Sequence, residues 1–138
     1  MENEQNNSSS PFHSGEQKLQ SRAGKRDAME KFGRRVIRNY LPQQHREFYA
    51  QLPFIVAGCV DEKGDTWASL LAGKPGFIQS PEATLLSVQH SPIKGDPINK
   101  ALASDGAPIG LLGIELSSRR RNRVNARVQK PVSGQPVQ

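Results

Sequence analysis

Three observations predict a small α+β protein built on an antiparallel sheet, closed into a barrel or strongly twisted, with helices at one end. Between Pro53 and Val128, short apolar runs rich in branched residues alternate with turns that carry glycine and proline, the spacing of strands in small β folds. Before them, from Lys25 to Leu52, apolar residues recur three or four apart, the period of helices. The chain of 138 residues has room for one domain of ordinary size.

Composition narrows the partners. Hydrophobic residues are 35 % of the chain, below the usual globular share. Residues 1–11 account for part of the shortfall: Met1 to Ser10 is Asn, Gln, Glu and Ser after the initiator, too polar to offset its ordering entropy, and is expected to be a disordered tail. The net charge of +6 favours anionic partners, among them nucleic acid, acidic membrane surfaces and phosphorylated cofactors. A single cysteine, Cys59, excludes an intramolecular disulfide and reads as a small buried hydrophobe, so a cytoplasmic location is expected. The N-terminus is polar and no apolar run nears the roughly 20 residues of a membrane helix, so no signal peptide, no span and no membrane partner are expected.

Residues 12–52 read as an N-terminal helical extension. Phe12 to Glu16 marks the start of order, and Lys25 to Tyr40 places Met29, Phe32, Val36, Ile37 and Tyr40 on one side of a helix that should rest on something. Pro42 ends it and opens a second helix, Gln43 to Leu52, with Phe48, Tyr49 and Leu52 aligned. Residues 53–128 read as the β core of five strands with one inserted helix. Phe54 to Val60 and Thr66 to Leu71 form a hairpin about Asp61 to Asp65, where Gly64 can take a positive φ. Ala83 to Val88 is a third strand, giving a meander. Asp96 and Pro97 open a short helix, Pro97 to Ser104, with Asp96 as its N-cap. Residues 129–138, with two prolines and a glycine, are an irregular tail.

The last two strands carry the chemistry. Pro108 to Leu116 is apolar enough for a core strand. Arg119, Arg120, Arg121, Arg123 and Arg127 then fall within nine residues. At a two-residue period Arg121, Arg123, Asn125 and Arg127 share one face, and Asn122, Val124, Ala126 and Val128 the other. A row of forked donors suits phosphate; a charged edge strand that resists edge-to-edge pairing has the same pattern.

Other chemistries lack their residues. His13, His45 and His90 stand far apart beside one cysteine, so no metal site is expected. There is no Gly-x-Ser-x-Gly elbow, phosphate-binding loop or dinucleotide fingerprint. Gly110 and Gly113 lie within a strand, where they permit close approach by backbone or ligand. Any redox chemistry needs a cofactor.

The order of parts from Phe12 to Val128 resembles the pyridoxamine 5′-phosphate oxidase-related, FMN-binding split-barrel family. The resemblance rests on Pro53 to Leu71, Gly76-Phe77, Asp96-Pro97, Pro108 to Leu116 and Arg119 to Val128. Phe12 to Glu16 and Gly33 to Arg38 resemble the N-terminal extension of a branch whose barrel is sometimes fused to a ferredoxin reductase-like module. The resemblance implies an antiparallel split barrel of six strands that forms a homodimer with FMN at the interface, acting as a flavin-dependent oxidoreductase with a possible reductase partner. It implies cofactor contacts from Ser69, Leu70 and Leu71 in the second strand, from Ser91 and Lys94 after the third, and from Arg121, Arg123 and Asn125 in the last. Leu71 stands where the oxidases carry a basic residue. The family pattern continues past this chain's last strand, so a shortened, incomplete barrel is expected. F420 or haem are cofactors the residues do not distinguish from FMN. The alternatives are a dimerising barrel fragment without catalysis and, ranked lower for want of interleaved aromatics, a basic nucleic-acid-binding module.

Overall fold

The computed structural model describes residues 9–130. The expectations for 1–8 and 131–138, parts of the two tails, lie outside the described residues. The chain divides after Tyr40 into two compact units.

The first unit contains α1 (Ser14–Arg22) and α2 (Arg26–Val36). α1 falls within the expected helical extension, although no separate helix was delimited there. It begins with a capping box in which His13 Nδ1 accepts from the N–H groups of Gly15 and Glu16, and the Glu16 carboxylate accepts from the His13 N–H at 2.9 Å. Histidine is not among the favoured cap residues, so residue type concealed this start. α2 is shorter than the expected span to Tyr40. At the branched pair Val36-Ile37 the backbone turns extended, with Ile37 at φ −85° and ψ 121°. Within the unit, Glu30 Oε2 accepts from Ser10 Oγ and from Arg26 Nη1, both at 2.6 Å, and Oε1 pairs with Arg34 at 2.9 Å. The Ser10 hydrogen bond, ahead of Arg26 and Arg34, holds this carboxyl below its ordinary range.

The second unit contains α3 (Gln43–Ala50), β1 (Phe54–Val60), β2 (Thr66–Ala72), β3 (Ile78–Glu82), β4 (Leu85–Val88), α4 (Ile98–Leu102), β5 (Pro108–Glu115) and β6 (Arg120–Arg127). The expected boundary after Leu52 is displaced, because α3 belongs with the sheet. Its Phe48, Tyr49 and Leu52 are buried over β5 and β6. Tyr49 Oη donates to Asn122 Oδ1 at 3.0 Å, and the Arg120 guanidinium lies 5.1 Å from the Phe48 ring centre. Burial pushes the Tyr49 phenol far above its ordinary range, which keeps it the donor of that bond.

The fold is α+β with antiparallel pairing throughout its described ladders. Four strands form one sheet in the order β2-β1-β5-β6, and β3 and β4 pair separately. This corrects the expected five strands and the three-strand meander. At Gly73 the chain leaves β2, the Gly76 N–H donates to Ala50 O at 2.8 Å with Gly76 at φ 98°, and Pro81 in β3 lacks a ladder donor. β5, with its longer apolar run, takes the free side of β1 instead. Among the described residues the sheet does not close: β2 and β6 are its edges.

One face of this sheet carries the core. Ile55, Ala57 and Cys59 of β1, Ser69 and Leu71 of β2, and Ile109 and Leu111 of β5 are all buried. Ile98 of α4 and Phe77 and Ile78 at the start of the small hairpin join the same cluster. Burial, more than the nearby Asp96 and Asp61, pushes the Cys59 thiol up, which keeps it protonated and inert.

Asp96 ties the start of α4 to the sheet, although the helix is shorter than the expected Pro97 to Ser104 and Pro97, not Asp96, is its N-cap residue. Asp96 Oδ1 accepts from Ser69 Oγ at 2.5 Å and from the Ile98 N–H at 3.0 Å. Asp61 does the same in the β1–β2 turn, accepting from Trp67 Nε1 at 2.9 Å and from the N–H groups of Lys63 and Asp65. These bonds, led by Ser69 for Asp96 and by Trp67 for Asp61, hold both carboxyls below their ordinary range. Both groups are thus more acidic folded than unfolded. Their stabilisation is full above the unfolded carboxylate pKa of about 4 and fades as pH falls through the lower folded values. Urea midpoints are expected to be level from neutral pH to about 5 and to drop below about 4, with a shallower drop in Asp96→Asn. An identical acid profile for the variant would show that Asp96 does not carry the effect.

Candidate functional site

Within the second unit the other face of the four-stranded sheet has no helix or hairpin packed on it, yet it is not polar. The registers align Leu70, Val56, Leu112 and Arg123 in one row across β2, β1, β5 and β6. Ala72, Phe54, Ile114 and Arg121 belong to the same face one step along. Ala68, Gly58, Gly110 and Asn125 form the row on the opposite side. Leu70 is 56 % exposed, while Phe54, Val56, Leu112 and Ile114 are half-buried. An uncovered sheet face normally alternates to polar residues; here it is an apolar floor with a cationic margin. With strands about 4.8 Å apart, each row runs about 14 Å from β2 to β6.

The margin is a set of guanidinium groups held by β6. Arg121 and Arg123 are exposed, and Asn122 and Val124 between and after them turn inward, half-buried. This is the alternation that periodicity predicts. Arg127 of the same row is engaged, donating from Nη1 to Gly106 O at 3.0 Å. Among the described residues Arg121 and Arg123 have neither an ion pair nor a hydrogen bond from their side chains. Two forked donors about 7 Å apart along a strand present a ready seat for an anion. Where β1 begins and β5 ends, the floor adjoins an open groove of about 300 Å³ whose lining is mixed, with Phe54, Ile114 and Leu116 beside Gln51, Glu115 and Ser117.

The eight residues expected to contact a cofactor divide. Leu70, Arg121, Arg123 and Asn125 share the open face, the last three side by side on β6 and Leu70 across the sheet on β2. Ser69 and Leu71 turn into the core on the opposite face, where Ser69 is committed to Asp96 and Leu71 is 3 % exposed. A basic side chain in place of Leu71 would point into that core. Ser91 and Lys94 are exposed in the loop leading to α4, whose Ile98 is buried on the core face. Val56, Leu112, Phe54 and Ile114 were not singled out beforehand. Their signal was legible: β1 and β5 are apolar at both parities, the pattern of strands with something on each face.

The two glycines of β5 now separate. A Cβ at Gly113 would lie 2.8 Å from Tyr49 and 2.9 Å from both Leu52 and Phe48, so α3 requires its absence. At Gly110, on the open face, a Cβ would meet only Asn125 Oδ1 at 3.7 Å, and at Gly58 its nearest neighbour is Gly110 O at 3.7 Å. Nothing within the described chain demands glycine at either place. Gly113→Ala is therefore expected to destabilise by about 1–3 kcal/mol through overpacking. Gly110→Ala should be neutral or stabilising by up to about 1 kcal/mol. Chemical denaturation of the pair checks the contrast, and equal losses would refute it.

Other centres are missing among the described residues. No group of three His, Cys, Asp or Glu residues could hold a metal ion, and no helix is long and apolar enough to cross a membrane. No family model, no curated protein and no solved structure matches this chain.

Proposed function

We propose that the open sheet face binds a planar, phosphorylated cofactor, FMN, in a homodimeric flavoprotein of the pyridoxamine 5′-phosphate oxidase-related split-barrel type. The observation that carries this reading is the row Leu70, Val56, Leu112, Arg123, in which an apolar floor ends on an unpaired guanidinium. A flavin phosphate needs the second, and its ring system the first.

In this reading Arg121 and Arg123 take the phosphate as bidentate donors, and Asn125 offers an amide to a polar edge of the ligand. Val56, Leu70 and Leu112 pack on the ring, while Gly58 and Gly110 keep the floor low beside it. A second copy covers the remaining apolar surface. A face of this kind left in water is a liability. When bound, the flavin supplies the electron transfer, and the protein binds and orients it. The contacts suggested for Ser69 and Leu71 by family resemblance pass to the residues of the opposite parity, because those two serve the core.

The test is a titration of the full chain with FMN and, separately, riboflavin, followed by quenching of flavin fluorescence. Saturable quenching by FMN, with riboflavin binding about tenfold or more weaker for lack of its phosphate, is the expected result. No quenching by either ligand would overturn the reading and leave a dimerising β protein without a cofactor. Equal binding of both would remove the arginines from the site.

A further inference from the structure

We propose that the first unit, through α2, docks the protein on an anionic phospholipid surface. The inference stands apart from the flavin reading and concerns other residues.

The described part of this unit, residues 9–40, has eight Lys and Arg against three Asp and Glu. It encloses no core: Gly33 is its one fully buried residue. Its large apolar side chains face outward instead. Met29, Phe32 and Val36 are 36 %, 56 % and 48 % exposed. At about 100° per residue they fall within roughly 60° of arc on α2. Ile37 and Tyr40, just past the helix, are exposed as well, as is Leu19 of α1.

The charges of α2 are arranged around that arc. Its Glu30 is neutralised by Arg26 and Arg34, which leaves Asp27 in the first turn, Lys31 and Arg35 toward one margin of the apolar arc and Arg38 beyond the helix end. Arg38 lies 5.8 Å from the centre of the Tyr40 ring. A short helix with a narrow apolar arc, a cationic margin and low mean hydropathy lies in the plane of a lipid–water boundary rather than crossing it. The apolar arc enters the acyl margin and the cations meet lipid phosphates. A second copy of the chain would bring the same positive charge to the contact, so self-association is the poorer occupant. The sequence expectation of no membrane partner rested on the lack of a spanning segment, which surface docking does not need.

The experiment is flotation of the full chain with vesicles of phosphatidylcholine alone and of equimolar phosphatidylcholine and phosphatidylserine. Binding is expected only to the anionic vesicles, and high salt should reverse it. Replacing Lys31, Arg35 and Arg38 together by alanine should lower partitioning about a hundredfold, from roughly fivefold per cation. Phe32→Asp should abolish binding while far-ultraviolet circular dichroism stays unchanged. If that variant unfolds, the triple alanine variant decides alone, since its three side chains are exposed. Arg121→Ala with Arg123→Ala should bind vesicles as the parent does. The proposal is overturned by absence of binding to anionic vesicles, or by loss in the Arg121 and Arg123 variant but not in the triple variant.

Discussion

Replacing Arg121 and Arg123 together by alanine is expected to weaken FMN binding by about a hundredfold or more while leaving the fold intact. Each charged hydrogen bond to the phosphate is worth about 1.5–3 kcal/mol, and each 1.4 kcal/mol is about tenfold. The fold should not respond, because both side chains are exposed and have no partner within the described chain. Riboflavin is the internal control: without a phosphate it should bind the parent and the double variant alike. Fluorescence titrations of both ligands on both proteins check this. Unchanged FMN affinity with normal circular dichroism would take the phosphate away from β6. Removing a positive charge pair from an edge strand also weakens its protection against edge pairing, so lower solubility of the variant would accompany the loss without explaining it.

The second large effect is on stability. Ile98→Ala is expected to cost about 2–5 kcal/mol, the range for truncating a buried aliphatic side chain with incomplete collapse of the cavity. Ile98 is 0 % exposed, and it is the fully buried residue of a helix only five residues long. Such a helix has little stability of its own; it holds its place through Ile98 and through Asp96, which accepts from Ser69 and from the Ile98 N–H. Losing the first anchor should loosen the second. A thermal midpoint lowered by about 10 °C or more is the expected reading. A shift within a degree or two would mean that α4 is not part of the cooperative core.

The two outcomes are independent by construction of the sheet. Arg121 and Arg123 hang from one face, and Ile98 packs on the other. A double variant lacking the arginines should therefore keep the parent's midpoint, and Ile98→Ala should keep FMN affinity at temperatures where it is folded.

Most elements were legible in the chain because their signals are local. The β1–β2 hairpin was readable from two apolar runs about Asp61 to Asp65, and Gly64 does take φ 88°. The start of α4 was readable from Asp96-Pro97, and the carboxylate does accept the Ile98 N–H. The split of β6 into an exposed arginine row and an inward row of Asn122, Val124 and Ala126 followed from a period of two. The start of α1 as a separate helix escaped because its cap is His13, a residue whose type does not announce a helix. The length of α2 was overestimated because apolar spacing continues to Tyr40 after the backbone has turned extended at Ile37.

By itself, then, the sequence determined the parity of each strand: which residues share a face is set by backbone pleat and needs no partner. Beyond the β1–β2 hairpin it could not say which strands lie side by side, because pairing joins residues far apart in the chain, such as Val56 with Leu112. Only the tertiary structure decided that α3, α4 and the β3–β4 hairpin all pack with one face of the sheet. That choice consigns Ser69 and Leu71 to the core and leaves Leu70 on the open face, at the edge opposite the arginines. The physical reason is that a buried face is selected by the sum of side-chain packing from several elements, here Phe48, Tyr49, Leu52, Ile78 and Ile98, and no single strand carries that sum.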